Sequence, residues 1–98
     1  MRNLYLVAYD VTDDKRRNKI FKKLKGRGDA LQYSIFRCRL SPTEKLSLRA
    51  ELWDLLNLSE DRLLLIDLGP ADGSGAEKWE TWGNPLVDIA HFDGPQVV

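Results

Sequence analysis

One cysteine, one histidine and no long apolar run set the first limits on this 98-residue chain. Cys38 by itself builds neither a disulfide framework nor a CxxC-type zinc site, which fits a cytoplasmic protein. It lies in a strand-like stretch with no base beside it and reads as a buried, inert thiol. His91, the sole histidine, comes late in the chain and reads as structural or exposed rather than as a general base. No stretch approaches about 18 consecutive apolar residues, so no membrane span is expected. Arg2 precedes an apolar run, but Asp10 interrupts it and no small-residue cleavage site follows; no signal peptide is expected. Net charge is also missing, since 15 Lys/Arg balance 15 Asp/Glu. That balance hides an asymmetry. Residues 1–41 hold 11 Lys/Arg against 4 Asp/Glu, and residues 42–98 hold 4 against 11. A basic half favours a polyanion such as nucleic acid, while the acidic half argues against a protein that simply coats DNA.

What is present is organised around the first strand-like stretch, Leu4-Tyr5-Leu6-Val7-Ala8-Tyr9-Asp10. Apolar, aromatic and β-branched residues without Gly or Pro predict a strand from about Asn3 to Tyr9. Both of its faces are apolar, as expected for the centre of a sheet. A carboxylate, Asp10, stands at its exit. Thr12 is the expected cap of a basic helix, with Asp13 and Asp14 in its first turn, where the helix dipole favours negative charge. Ile20, Phe21 and Leu24 give that helix a narrow apolar stripe, and Gly26 or Gly28 is expected to end it in a left-handed cap. Residues 30–40 read as one long bent strand or as two short strands reversing near Ser34 to Phe36. Ser41-Pro42-Thr43-Glu44 predicts a capping box opening a second helix, which carries Leu48, Leu52, Leu55 and Leu56. Leu63 to Leu68 reads as a buried strand stopped by Gly69-Pro70.

With the reversal, this order is that of an α+β, ferredoxin-like fold: βαββαβ, an antiparallel sheet with two helices on one face. The chain is expected to form one domain, with its core over residues 1–69. Residues 70–98 form a loop and a C-terminal dimerisation and partner-docking segment. Its apolar residues have no evident place in the core, so a strand added to a partner subunit's edge is the expected use.

Three stretches carry a resemblance: residues 5–11 (Tyr-Leu-Val-Ala-Tyr-Asp-Val), residues 13–17 (Asp-Asp-Lys-Arg-Arg) and residues 32–40 (Gln-Tyr-Ser-Ile-Phe-Arg-Cys-Arg-Leu). In order and spacing they resemble the CRISPR-associated protein 2 family, small nucleases of prokaryotic adaptive immunity. Residues 77–83 more loosely resemble that family's extra strand, which crosses to the partner subunit. The loop at residues 71–76 is richer in Gly and Ala than the family pattern, and tryptophans stand where aliphatics are usual. The resemblance implies a homodimer and a metal-dependent endonuclease activity on RNA or DNA. It also implies a partner, the CRISPR-associated integrase (protein 1 of the same system), in the spacer-acquisition complex.

The resemblance makes Asp10 the catalytic and metal-binding residue, one from each subunit, with Mg2+ (or Mn2+) as cofactor. The chemistry is consistent: magnesium takes oxygen ligands and keeps several waters, and a two-fold dimer supplies a second copy of every residue. Arg16, Arg17, Lys19, Arg37 and Arg39 are the expected nucleic-acid contacts; the rival reading for Arg16 and Arg17 is solvated helix charge, and for Arg37 and Arg39 pairing with a partner's acidic half. Phe36 is assigned to the core or the dimer interface, and Trp79 and Trp82 to the dimer interface. The alternative function is a non-catalytic DNA-binding subunit that bridges integrase dimers. A ferredoxin-like RNA-binding module is a third reading, but its usual aromatic motif is missing.

Overall fold

A computed structural model describes residues 1–72 together with Glu80, Trp82 and Gly83. Its elements run β1 (Asn3–Asp10), α1 (Asp14–Lys25), β2 (Gly28–Gln32), β3 (Ile35–Leu40), α2 (Pro42–Leu55) and β4 (Arg62–Pro70). The four strands form an antiparallel sheet in the order β2-β3-β1-β4. This is the ferredoxin-like βαββαβ arrangement, with β1 inside the sheet as its two apolar faces require.

Alternation along β1 divides the sheet's two faces. Tyr5, Val7 and Tyr9 enter a core shared with Ile20 and Leu24 of α1, Leu48 and Leu52 of α2, and Phe36 and Cys38 of β3. Leu4, Leu6, Ala8 and Asp10 take the opposite face. There the pairing sets Leu6 between Arg37 and Ile66, and Ala8 between Ile35 and Leu64. Leu64 and Ile66 remain 57% and 42% exposed. The strand from Leu63 is therefore not buried as expected. Among the described residues it occupies a sheet edge, alternates between half-buried and exposed side chains, and runs through Gly69-Pro70 instead of stopping there.

Local chemistry explains the element ends. The residue capping α1 is Asp13, not Thr12: its extended backbone lets the carboxylate accept from Arg16 N at 2.9 Å. Gly26 does end α1, but in a right-handed conformation, so no left-handed cap is needed. The expected capping box at α2 is complete: Ser41 Oγ accepts from Glu44 N at 3.1 Å, and Glu44 Oε1 accepts from Ser41 N at 2.8 Å. Residues 33–34 make the reversal between β2 and β3, which resolves the open question in favour of two strands. The glycine at 28 serves close approach. A Cβ there would stand 2.1 Å from the Arg37 carbonyl oxygen and 2.8 Å from Cys38 Sγ.

Phe36 is fully enclosed within the protomer, where its ring lies 6.3 Å from Tyr9 and 5.2 Å, edge-on, from Phe21. It therefore belongs to the core, and the interface assignment is corrected: its strand position points it to the helices, away from the sheet face that carries Asp10. Trp79 lies outside the described residues. Trp82 is exposed, and its Nε1–H donates to Glu80 Oε1 at 2.7 Å.

Candidate metal and nucleic-acid site

The rim around Asp10 is assembled from three parts of the chain. Asp10 is the last residue of β1, and its pairing partner is Arg62, the first residue of β4. On the other side the β2–β3 turn is drawn onto β1: Tyr9 N donates to Ser34 O at 3.0 Å, and Tyr9 OH donates to Tyr33 O at 2.7 Å. Burial pushes the Tyr9 phenol up to about 12 despite the opposing charge of Arg17, so the hydroxyl stays a donor at neutral pH. The start of α1 closes the third side.

Asp10 itself is exposed, and among the described residues no hydrogen bond or ion pair holds its carboxylate. Its neighbours are engaged. Asp13 caps α1, and Asp14 pairs with Arg17. Among the described residues no group of three or more His, Cys, Asp or Glu lies within reach of one metal ion. The donor chemistry on offer from one chain is thus a single hard oxygen ligand. That fits magnesium or manganese, which keep water ligands, provided a second carboxylate comes from another copy. It does not fit a closed zinc site.

The five cations expected to contact nucleic acid fall into different settings. Arg16 is bound to carboxylates: Nε donates to Asp61 Oδ2 at 2.8 Å, and Nη2 to Asp61 Oδ1 and Glu60 Oε1, both at 3.1 Å. Hydrogen bonding to Asp61 holds its guanidinium charge firmly on. Arg17 Nη1 donates to Val11 O at 3.1 Å, which anchors the guanidinium beside the Asp10 loop while leaving it half exposed. Lys19 is exposed on α1. Arg37 is buried on the sheet face opposite the helices with Nη2 at 2.8 Å from Asp29, and burial weakens its hold on the proton. Arg39 is exposed opposite Leu4, six residues along β1 from Asp10 and so roughly 20 Å away. The fold brings Arg17 to the Asp10 end of the molecule. Arg37 and Arg39 it does not.

Sequence reasoning missed two residues of this rim. The Tyr9 hydroxyl had no visible partner, because that partner is a backbone carbonyl in a turn 24 residues away. Asp61 sits in a polar Ser-Glu-Asp-Arg run that reads as surface loop, yet its side chain is fully buried. The available signal was a carboxylate placed directly before an apolar strand.

Comparison with known proteins places these features. Residues 2–73 match the family model described as CRISPR associated protein Cas2. Among curated relatives, the CRISPR-associated endoribonuclease Cas2 of Geobacter sulfurreducens is 39% identical over 72 residues, which cover 74% of this chain and 76% of the relative. A protein of the same name from Thermus thermophilus is 46% identical over 71 residues, covering 71% and 76%. Among solved structures, a hypothetical protein from Thermus thermophilus superposes with a TM-score of 0.73 at 34% identity, covering 89% of this chain and 98% of that one. Streptococcus pyogenes Cas2 superposes with a TM-score of 0.70 at 24% identity, covering 82% and 99%. No helix among the described residues is long and apolar enough to cross a membrane.

Proposed function

The chain belongs to the CRISPR-associated Cas2 family, and from that premise we propose that it is a metal-dependent endonuclease hydrolysing phosphodiester bonds in RNA or DNA. It works as a homodimer in the spacer-acquisition complex, beside the CRISPR-associated integrase, in the cytoplasm. The curated relatives carry the name endoribonuclease, which supports nuclease chemistry. The observation that carries the reading is the setting of Asp10: exposed, without a partner among the described residues, and at the end of the central strand on the sheet face opposite the helices.

That face supports the dimer. Leu64 and Ile66 expose apolar surface beside Leu6 and Ala8, and a second copy packed face to face would cover it. Asp10 follows the same alternation, so an isologous pairing carries two Asp10 carboxylates to a common interface. Without a cation they would repel. Asp10 would hold the ion; when bound, it supplies Lewis-acid polarisation of the phosphodiester and eases deprotonation of the attacking water. Arg17, fixed by Val11 O, and the exposed Lys19 draw the phosphodiester backbone to this rim without reading sequence. The Tyr9 bond to Tyr33 holds the turn that borders it.

A second reading, a DNA-binding subunit that bridges integrase dimers without catalysis, is favoured by one observation. Exposed lysines run along α1, from Lys15 and Lys19 to Lys22, Lys23 and Lys25, well beyond the rim. Such a stripe suits contact with duplex phosphates. Cleavage of single-stranded RNA and of duplex DNA, with magnesium and with chelator, beside Asp10→Ala, separates the two. Metal-dependent cleavage lost in the variant supports the nuclease. Cleavage that persists in the variant removes Asp10 from the mechanism. Absence of cleavage together with duplex binding transfers the conclusion to the bridging role.

A further inference from the structure

Asp61 lies off the sheet face that carries Asp10, yet it is the most completely engaged carboxylate among the described residues. Its side chain has no exposed surface. Four donors meet it. Arg16 contributes Nε and Nη2, at 2.8 and 3.1 Å. Asn57 N–H contributes at 2.8 Å, and the Thr12 backbone N–H is the fourth. These donors come from three segments: the loop leaving β1, the first turn of α1, and the start of the α2–β4 loop.

The placement of those segments matters. Thr12 stands two residues after Asp10, and Arg62, the pairing partner of Asp10, directly follows Asp61. One buried carboxylate therefore ties together the chain on both sides of Asp10. We propose that Asp61 is a positioning residue, clamping the strand exit so that Asp10 presents its carboxylate at a fixed place. The proposal rests on the reading of Asp10 as a metal ligand. Magnesium tolerates only near-ideal octahedral geometry with short bonds, so a ligand on a loose strand end would bind it poorly. A productive site needs its ligands held to about half an ångström, by residues that are themselves locked. Asp61 meets that need because its oxygens accept charge-assisted bonds in a water-excluded setting. Arg16 on this account is a clamp component, and its charge is not available to phosphate.

The test uses the full-length chain labelled for amide NMR, as wild type, as Asp61→Asn, as Arg16→Gln, and as the charge swap Arg16→Asp with Asp61→Arg. Two signals are read. The first is amide exchange at Thr12 without metal, with Tyr5 and Val7 as core controls. The second is the Mn2+ concentration that broadens the Asp10 and Val11 signals. In Asp61→Asn, Thr12 exchange rises roughly tenfold or more, as loss of a charge-assisted hydrogen bond predicts, while the core controls hold. The Mn2+ midpoint at Asp10 rises with it. The charge swap rescues neither, because arginine at 61 cannot accept from Thr12 and Asn57. Arg16→Gln, which keeps both backbone bonds, loosens Thr12 less and serves if Asp61→Asn does not fold. Unchanged Thr12 exchange overturns the proposal. So does a loosened Thr12 with an unmoved Mn2+ midpoint, or rescue by the charge swap. If Mn2+ leaves wild-type Asp10 untouched, the metal reading falls by itself, and Thr12 exchange alone decides the clamp.

Discussion

The Tyr9 hydroxyl donates to the Tyr33 carbonyl across 2.7 Å, joining the exit of the central strand to the β2–β3 turn 24 residues away. The same tyrosine's backbone N–H holds Ser34 O, so one residue pins the turn twice. Tyr9→Phe keeps the ring in the core and deletes only the hydroxyl bond. It is expected to lower unfolding stability by about 1 kcal/mol, the net worth of such a bond. A urea midpoint that does not move would show the turn to be held by the backbone bond alone.

Phe36 supplies the largest fully enclosed side chain among the described residues and touches rings from β1 and α1. Phe36→Ala should cost about 3–5 kcal/mol by lost transfer energy and the cavity left behind. Equilibrium denaturation followed by far-UV circular dichroism measures it. A loss below 1 kcal/mol at any protein concentration would contradict its place in the core.

Gly28 has no room for a side chain, because the obstacle is the Arg37 backbone rather than a mobile side-chain tip. Gly28→Ala should destabilise by about 1–3 kcal/mol as the β2 edge is pushed from β3. Chemical denaturation tests this, and amide exchange along residues 28–32 should quicken if the displacement is local.

Acid should weaken the anchoring of α2 to the chain start. The Arg2 hydrogen bonds, at 2.8 and 3.1 Å, are the main cause that holds the Glu44 carboxyl down at about 2, with the Ser41 N–H adding to them. A depressed carboxylate contributes stability that is whole above its ordinary value of 4.5 and is lost as pH falls toward 2. Thermal melts from pH 5 to pH 2 should fall less steeply for Glu44→Gln than for wild type. The difference should shrink in high salt, since the pair is partly exposed.

The Cys38 thiol is pushed up to about 11, chiefly by burial. It should resist alkylation in the native protein at pH 8 and react fully once denaturant is added. Fast native labelling would mean that β3 opens locally, since the thiol sits behind Gly28.

Much of this protein could be read along the chain. The central strand, the basic helix with its Ile20–Leu24 stripe, the Ser41–Glu44 capping box and the element order follow from side-chain period and local hydrogen-bond chemistry, which act over a few residues. Asp10 at a strand exit was visible for the same reason. Choices of partner over longer distances were decided by the tertiary structure. It gave Asp61 to Arg16, sent Phe36 inward and, among the described residues, left β4 at an edge. It also separated Arg39 from Asp10 by most of a strand's length. Composition sets which groups want a partner; only the sheet order and its register bring a particular pair within hydrogen-bond distance and close water out between them.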